Sequence, residues 1–514
     1  MSQERSRRSR SGRSRSRRRS RPPEPPTGAL AIVGRISHLL ISSLFFLLLF
    51  AAPMPMGANR DWAWAPIVIA IGLLSVLVAF GLAGRLGFGV RPDEKMPLLL
   101  TALCFVGMVA VALFQMLPIA PHAGSAPYYA EAARILGRAT SAVPSVAVDA
   151  SLADLMKCVA CGLVFLMARA LCASENGARA LLVSLIASAL LVIGYGMLMK
   201  REVDSCYVGR FLKKIGDYVP GGDHCLMSGT FVSSNSFACF LGMAVVAALA
   251  LIFNDRRSRR RRFEEELGEE AGENRLVSWF TGWRIALMGV GFFLFGGIMI
   301  SGSRAGFAAT VVGAAALGYI LMHGRWRSRG QISKTLLAAL VVGGAAAFIA
   351  GGALVQKFSH LPSGDVLNRM IIWRVSLQAI AKSPWLGWGL GSYQDVFTLL
   401  APNDMTQPND KAHSTPLETM VELGIPGAML AISAVLVPWL VCWRGALRRR
   451  RNRYLVGAAF AVAAVPIVHS TVDFSLQMPA IGFMVSAFLG MGWAQAFAPG
   501  DPPAMPRTFT EPPE

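Results

Sequence analysis

Long apolar stretches separated by short polar segments run through most of the chain. A helix needs about 20 mostly apolar residues to cross a membrane, because its backbone polar groups must be satisfied within the segment. Three stretches, 65–83, 335–355 and 423–442, contain no charged side chain over 19, 21 and 20 residues. Together with less uniform stretches they predict an all-α polytopic membrane protein of about twelve transmembrane helices. The other nine spans are predicted near 36–52, 97–117, 151–171, 180–199, 236–253, 284–300, 305–322, 454–469 and 478–497.

The composition excludes most other classes of protein. Only 16% of the residues are charged and 54% are hydrophobic, whereas an average soluble domain has about 25% charged residues. A cytosolic enzyme, a disulfide scaffold and a disordered protein are therefore excluded. The net charge of +20 does not by itself indicate nucleic acid, because most basic residues lie in short runs between apolar segments.

The distribution of basic residues predicts the orientation. With the N-terminus inside and twelve crossings, the inside segments hold 35 of the 50 Lys and Arg residues and the outside segments hold 14. Cytoplasmic loops carry such an excess, so we expect both termini in the cytoplasm of a cell inner membrane. One outer segment departs from this bias, which indicates either a surface for an anionic ligand or imperfect application of the rule. Its basic residues are Lys200, Arg201, Arg210, Lys213 and Lys214.

Three regions differ in composition. Residues 1–35 form an Arg/Ser-rich tail with too few apolar residues to fold. We interpret it as a disordered cytoplasmic anchor for anionic lipids, with RNA binding as the less favoured alternative. Residues 36–497 form the membrane domain, and 498–514 a second cytoplasmic tail. We therefore expect membrane lipids as partners and no nucleic acid.

The cysteines show no metal spacing. Cys158 and Cys161 lie in a predicted span without a second pair, so a packing role is favoured over zinc or redox chemistry. Cys206 and Cys225 fall in one outer segment, where an oxidising exterior would permit a disulfide. No motif for nucleotide hydrolysis appears. The sequence thus predicts no metal site and no cofactor.

The longest outer loop, 356–416, carries polar residues of interest. Residues 368–381 have helical spacing, and Arg369 and Arg374 flank the apolar stripe of the predicted short helix. His413 stands just before the tenth span. A histidine at a helix entry is most often a surface or capping residue, but its near-neutral pKa also makes it a competent base. Spacing alone leaves these alternatives open.

Arg304 occupies a very short turn between two apolar helices, in the text SGSRAGF. The simplest interpretation is a charge that reaches the surface at a helix end. The alternative is functional, because an Arg fixed between two closely connected helices can present its planar fork to a phosphate with little loss of entropy.

Several of these segments resemble the O-antigen ligase and polymerase superfamily. In the C-terminal half, the motifs that resemble this superfamily are SGSRAGF, the Arg369-x3-Trp373 element leading to SPWLGWGLGSY, and AHSTPLETMVELGIPG. Three others resemble its exopolysaccharide and O-antigen branch: PMGANRDWAW, SGTFVSSNSFACFLGM and HSTVDFSLQMPA. The ligase-like core would span about 284–442. Their order, spacing and common placement on the outer face make coincidence improbable.

The resemblance implies a polytopic glycosyltransferase that takes a glycan from a polyprenyl pyrophosphate carrier and joins it to an acceptor hydroxyl. The reaction would take place on the periplasmic face, without a metal and with inversion. Arg304 and Arg369 would bind the pyrophosphate, and His413 would be the general base, with Glu422 holding its imidazole. The remaining candidates for substrate binding are Arg374, Trp373, Asn235, His469 and Asp473. The family has a paired Asn after Thr-Phe, whereas here Asn235 stands alone, which puts its role in doubt.

Two other functions remain open. A polymerase of lipid-linked O-antigen or exopolysaccharide repeats would use the same donor chemistry as a ligase, so the sequence does not separate them. From another class, a polysaccharide transporter or flippase would suit the number of spans. Transporters place ionisable sites near the membrane midplane, and here only Lys157 and Asp154 resemble such a site. We therefore favour the glycosyltransferase.

Overall fold

The computed structural model is entirely helical in the part of the chain that it describes. That part consists of residues 29–83, 90–118, 126–137, 143–202, 227–253, 282–323, 363–402, 409–449 and 452–498. It forms fourteen α-helices and two short 3-10 turns. The helices are α1 (Ala29–Ala51), α2 (Asp61–Ala83), α3 (Pro92–Gln115), α4 (Ala126–Leu136), α5 (Val148–Leu171), α6 (Glu175–Glu202), α7 (Ser234–Ile252), α8 (Gly282–Ser301), α9 (Arg304–His323), α10 (Ser363–Lys382), α11 (Tyr393–Leu400), α12 (Thr415–Arg448), α13 (Arg453–His469) and α14 (Pro479–Ala496).

The structure confirms an all-α, polytopic membrane protein. Within the described ranges, eight helices are long and apolar enough to cross a membrane, and Ile36–Ala51 and α13 are shorter apolar segments. Eleven of the twelve predicted spans coincide with helices. The ninth, 335–355, lies outside the described residues, so the number twelve remains a prediction. The helices α4, α10 and α11 lie between predicted spans, α10 and α11 within the predicted outer loop.

The centre of the bundle is formed by helices that are apolar on all sides. Nearly every residue of α7 is buried; α13 packs against α7, and α14 packs against α13, each with a largely buried surface. Outer helices instead expose large apolar side chains such as Leu73 of α2 and Phe292 of α8. Such exposure is costly in water but favourable in lipid. The membrane would therefore cover these outer faces.

Hydrogen bonds between loops show which loops lie together at each of the two ends of the bundle. At the outer end, Thr415 N–H donates to Ser470 O at 2.8 Å, and the Thr230 hydroxyl donates to Pro53 O at 2.7 Å. At the inner end, the Gln495 side chain donates to Cys172 O at 2.8 Å. These contacts join loops that the charge pattern assigns to the same side. The alternation of the described helices thus agrees with the predicted topology, whereas the face of the cell on which each end lies remains a prediction.

A buried ion pair fastens the inner end. The Glu94 carboxylate of α3 accepts hydrogen bonds at 2.7 Å from the Arg169 guanidinium of α5 and from the Trp493 indole of α14. Glu94 is 3% exposed. A carboxylate in such a place is stable only when it is paired and hydrogen-bonded, so this contact ties three helices together.

At the outer end, α12 is broken where the predicted tenth span begins. Gly424 has φ of 68°, a left-handed conformation that favours glycine, and Pro426 follows it. Gly387 and Gly424 allow the backbone of 385–387 to lie directly against residues 422–424, where a Cβ atom at either glycine would collide with main-chain atoms. The Gln115 side chain of α3 donates to Glu422 O at 2.7 Å. The loop after α10 is thereby packed against the entry to α12.

Several predictions fall outside the described residues. They are the Arg/Ser-rich tail up to residue 28, the C-terminal tail from 499, the proposed Cys206–Cys225 disulfide, and Arg210, Lys213 and Lys214 of the basic segment. Cys158 and Cys161 are free thiols of α5, among the cysteines that the structure describes. Cys161 lies where it would contact a side chain at Gly482 of α14, in agreement with packing.

The two ends can be assigned to membrane faces by cysteine labelling. Thr471 at the outer end and Ser174 at the inner end are both exposed. In a background in which Cys206 and Cys225 are serine, we expect Thr471→Cys to react with a membrane-impermeant maleimide in intact spheroplasts. Ser174→Cys should react only after lysis. The reverse order would invert the topology, and labelling of both in intact spheroplasts would contradict two separate ends.

Candidate functional site

The outer end of the bundle brings together five polar residues that we call the histidine cluster: Asn235, Arg369, His413, His469 and Asp473. They come from four separate places in the chain, namely the start of α7, the middle of α10, the segment before α12, and the turn after α13. The helices α7 and α12 begin at this level of the bundle and α13 ends there, so their polar residues lie where the apolar segments stop.

Asp473 is the most deeply buried member of the histidine cluster, with no exposed side-chain surface. Its Oδ2 accepts a hydrogen bond from the Asn235 side-chain amide at 2.7 Å, and its Oδ1 accepts one from Phe474 N–H at 2.7 Å. Hydrogen bonds of this kind are what make a buried carboxylate tolerable. Asn235 therefore has a defined partner in the folded protein, even though the paired Asn expected from the family is absent.

His469 is the last residue of α13 and stands one helical turn before Asp473. It is 1% exposed, and neither ring nitrogen has a hydrogen-bond partner among the described residues. Buried polar groups in native proteins are almost always hydrogen-bonded. A histidine with two free nitrogens beside a carboxylate and a guanidinium therefore marks a place where a polar ligand or water would bind.

His413 adopts a left-handed conformation with φ of 49°, which is uncommon for a residue other than glycine. Its ring packs edge-on against Phe474, with 5.3 Å between the ring centroids. Its Nδ1 is buried without a hydrogen-bond partner in the part of the chain that the structure describes. Strained backbone of this kind persists where the surroundings enforce it, frequently at functional sites.

The surroundings keep the His413 imidazole neutral. Burial lowers its pKa below the ordinary value, and the Arg369 guanidinium lowers it further, whereas the carboxylates of Asp473, Asp410 and Glu418 oppose this shift. A neutral imidazole can accept a proton. His413 is therefore available as a base at neutral pH.

Arg369 lies on α10 and faces the turn after α13. Its guanidinium donates to Val472 O at 3.3 Å, and its charge acts on both His413 and His469. The side chain is half-buried. Arg369 thus keeps donors available for an anion next to the two histidines.

The two neighbours of Arg369 on α10 are placed differently. The Trp373 indole N–H donates to Ala412 O at 3.1 Å, so its polar atom holds the residue before His413. Arg374 is exposed and lies about 140° around the helix from Arg369, because successive residues are rotated by about 100°. The structure does not join Arg374 to the histidine cluster by any contact among the described residues.

Arg304 begins α9 at the same end of the bundle and is half-buried. Gly306, two residues later, lies against Ala238 in the first turns of α7, the helix that also carries Asn235. Arg304 is not among the charged residues that act on His413. The structure therefore brings Arg304 to the outer end, on the α7 side of the histidine cluster.

Glu422 does not hold the His413 imidazole, because its carboxylate accepts a hydrogen bond from Gly391 N–H and faces Asp154, Lys411 and Glu418 instead. It belongs to a second group, the buried charge cluster. Its members are Asp154, Lys157, Lys411, Glu418 and Glu422. The sequence assigned no role to Lys411 or Glu418, because nothing in their spacing indicates that the two side chains pair beside His413.

No group of three or more His, Cys, Asp or Glu side chains with the geometry to hold a metal ion occurs within the described ranges. The histidine cluster contains one guanidinium group, that of Arg369, and two imidazoles. This combination suits the binding of a phosphate-containing ligand and the transfer of a proton beside it.

Comparison with known families assigns the segment that contains most of these residues. Residues 289–432 match the family model described as O-antigen ligase. This segment is similar to the O-antigen ligase family, in agreement with the resemblance read from the sequence motifs. The match covers 144 of the 514 residues, from α8 to the first part of α12. No curated protein matches the chain significantly.

The O-antigen ligase domain includes Arg304, Arg369 and His413 but ends before His469 and Asp473, and it begins after Asn235. The tertiary structure nevertheless places Val472 and Phe474, the two neighbours of Asp473, in contact with Arg369 and His413, and it joins Asn235 to Asp473. The candidate site is therefore larger than the matched segment.

We expect opposite pKa changes at His413 when its charged neighbours are removed. Arg369→Gln should raise the pKa because it removes a cation that disfavours the imidazolium, and Asp473→Asn should lower it because it removes a carboxylate that favours it. The measurement is NMR titration of ¹³C-labelled histidine in nanodiscs, with the His413 signal assigned from His413→Gln. Lys382→Gln, an exposed cation at the end of the same helix, is the control. Equal titration of His413 in all variants would contradict the described arrangement.

Proposed function

We propose that the protein is a membrane glycosyltransferase that moves a glycan from a polyprenyl pyrophosphate carrier to an acceptor hydroxyl on the periplasmic face of the inner membrane. The observation that carries the proposal is the neutral, half-buried His413 beside the Arg369 guanidinium, within an O-antigen ligase domain. One group accepts a proton and the other binds an anion. These are the two chemical requirements of glycan transfer from a pyrophosphate donor.

In the proposed reaction, His413 removes the proton of the acceptor hydroxyl as the acceptor oxygen bonds to the anomeric carbon of the donor. The bond from that carbon to the phosphate oxygen breaks, and the carrier pyrophosphate leaves with the electron pair. Attack from the opposite face inverts the anomeric configuration. The attack requires near-contact geometry between hydroxyl, base and anomeric carbon, which a fixed His413 would supply.

The leaving pyrophosphate gains negative charge as the glycosidic bond breaks. Arg369 would stabilise this charge directly, since its guanidinium has donors left after its contact with Val472 O. Arg304, at the same end of the bundle, would bind the part of the pyrophosphate on the α7 side. Guanidinium groups bind phosphates through paired hydrogen bonds, so we propose a reaction that needs no metal ion.

His469 is proposed to bind a sugar hydroxyl. Its two free ring nitrogens lie deep in the histidine cluster, and Asp473 beside it is held by Asn235. A buried group that can donate and accept hydrogen bonds, but has no partner in the protein, favours ligands that form those hydrogen bonds over ligands that lack the matching groups.

The alternative of a transporter is less well supported. Lys157 and Asp154, the residues nearest the membrane interior in the sequence analysis, form an ion pair at 2.7 Å. The Lys157 ammonium also lies 4.9 Å from the centre of the Trp64 ring. Both charges are thus satisfied within the protein, whereas the unpartnered imidazole nitrogens lie at the outer end. A polymerase remains compatible with the same chemistry and differs only in its acceptor.

The proposed function predicts transfer by the purified protein in the presence of a chelator. The assay combines a polyprenyl pyrophosphate-linked glycan with candidate acceptors and sizes the products by gel. We expect His413→Ala and Arg369→Ala to lower the rate by roughly 10²-fold or more, the range for loss of a general base or of an electrostatic stabiliser. A ladder of products would indicate a polymerase and a single capped product a ligase.

The control for these variants is Lys382→Ala, which removes an exposed cation from the last turn of α10. Its rate should equal that of the unmodified protein. Full activity of His413→Ala would remove the proposed base, and dependence on an added divalent ion would overturn the metal-independent mechanism. Absence of transfer to every acceptor would favour the transporter.

A further inference from the structure

Glu418 is a buried carboxylate to which the reaction above gives no role. It lies in the first turn of α12 and is 1% exposed. Both of its oxygens contact the segment that precedes the helix: one lies 3.0 Å from the Lys411 ammonium, and the other accepts a hydrogen bond from Ala412 N–H at 2.8 Å. Glu418 therefore binds the two residues that directly precede His413, Lys411 and Ala412.

The Ala412 peptide is held from its other side as well. Its carbonyl oxygen accepts the hydrogen bond from the Trp373 indole at 3.1 Å, and Ala412 is fully buried. Its N–H is thus fixed by α12 and its carbonyl by α10. The next residue is His413, whose left-handed backbone is unfavourable for a side chain with a Cβ atom. The two hydrogen bonds of Ala412 hold its peptide groups in place and thereby fix the position of the backbone where His413 begins.

Ordinary capping of α12 does not account for Glu418. A helix cap satisfies the free N–H groups of the first turn, as Ser233 does for Asn235 N–H at the start of α7. At α12 the cap residue Ser414 makes no such side-chain bond. Glu418 instead reaches past Ser414 to Ala412, which is outside the helix.

The pairing of Glu418 with Lys411 is equally specific. Burial by itself lowers the pKa of the Lys411 ammonium, but the carboxylates of Glu418, Glu422 and Asp154 outweigh it and raise the pKa above the ordinary value. Lys411 therefore remains charged and needs its partner. Removal of one partner from a buried ion pair leaves an uncompensated charge, which would displace the segment that carries His413.

We infer that Glu418 is a positioning residue that fixes the His413 imidazole at the reaction centre through Lys411 and Ala412. This inference rests on the proposed function, because it assigns Glu418 a part in the same reaction. Glu418 itself does not contact substrate. Its loss should therefore affect the rate of the chemical step more than the binding of the donor, which depends on Arg369 and Arg304.

Three variants separate the parts of this contact. Glu418→Ala removes both interactions. Glu418→Gln keeps an acceptor for Ala412 N–H but leaves the Lys411 charge unpaired. The double variant Lys411→Met with Glu418→Gln removes both charges and keeps the acceptor. We expect kcat to fall by about 10²-fold in Glu418→Ala, the effect of displacing a catalytic group by about 1 Å, with KM for the lipid-linked donor changed less than about twofold. The double variant should recover most of kcat.

Hydrogen exchange provides a readout that does not depend on transfer. The Ala412 amide should exchange faster in Glu418→Ala than in the unmodified protein, and the double variant should restore its protection. Glu94→Gln is the control for general loss of stability, since it weakens a buried ion pair at the inner end. It should lower the melting temperature without changing kcat of the folded protein or exchange at Ala412.

The outcomes distinguish failure of this inference from failure of the proposed function. Unchanged kcat in Glu418→Ala, while His413→Ala is inactive, would overturn the positioning role alone. A fall in kcat that Glu94→Gln reproduces would also overturn it. If the unmodified protein transfers no glycan, the proposed function fails, and unchanged Ala412 exchange in Glu418→Ala would then refute the contact independently. If Glu418→Ala does not fold, kcat of the double variant well above that of Glu418→Gln supports the inference, and equal values overturn it.

Discussion

The buried carboxylate of Asp473 is the constraint on which the outer end of the molecule depends. A charge without solvent is tolerated only when hydrogen bonds replace the lost water. Asn235 and the Phe474 N–H supply them, and they thereby fix the turn after α13 to the start of α7. Arg369 then docks on this turn, and the His413 ring packs on Phe474. The histidine cluster is assembled around one satisfied negative charge.

Two groups of charged residues lie side by side at the outer end, and they differ in how completely they are paired. In the buried charge cluster, Lys157 pairs with Asp154 and Lys411 pairs with Glu418. In the histidine cluster, by contrast, imidazole nitrogens have no partners among the described residues. Satisfied networks make a structure rigid, whereas unsatisfied buried groups indicate a ligand. The buried charge cluster is thus suited to holding the protein backbone in place, and the histidine cluster to binding a ligand.

The membrane explains why this chemistry is confined to one end. Within a span the backbone hydrogen bonds are internal, so irregular backbone occurs where a helix ends or is enclosed by protein. The loop at Gly387 and the helix break at Gly424 lie against each other, and the Gln115 side chain of α3 donates to Glu422 O beside them. The resulting compact entry to α12 gives Glu418 a rigid base from which to reach the segment before His413.

The sequence by itself determined the helical class, the positions of eleven of the helices that the structure describes, and the family resemblance of the central segment. These follow from local properties, since the length of an apolar run and the order of short motifs do not depend on distant residues. It also suggested Arg369, His413, His469 and Asp473 as site residues, because polar groups beside apolar spans are conspicuous. Their convergence was not determined, since His413 and Asp473 are separated along the chain by the whole of α12 and α13.

Only the tertiary structure decided which polar residues belong together. It joined Asn235 to Asp473 across 238 positions, turned Glu422 away from His413, and placed Arg374 on another face of α10. It also revealed Glu418 beneath the His413 segment. Helical periodicity indicates which face of a helix is apolar, but it does not specify which helix will pack there. The partners of a buried charge depend on that packing, and so they became visible only in the folded chain.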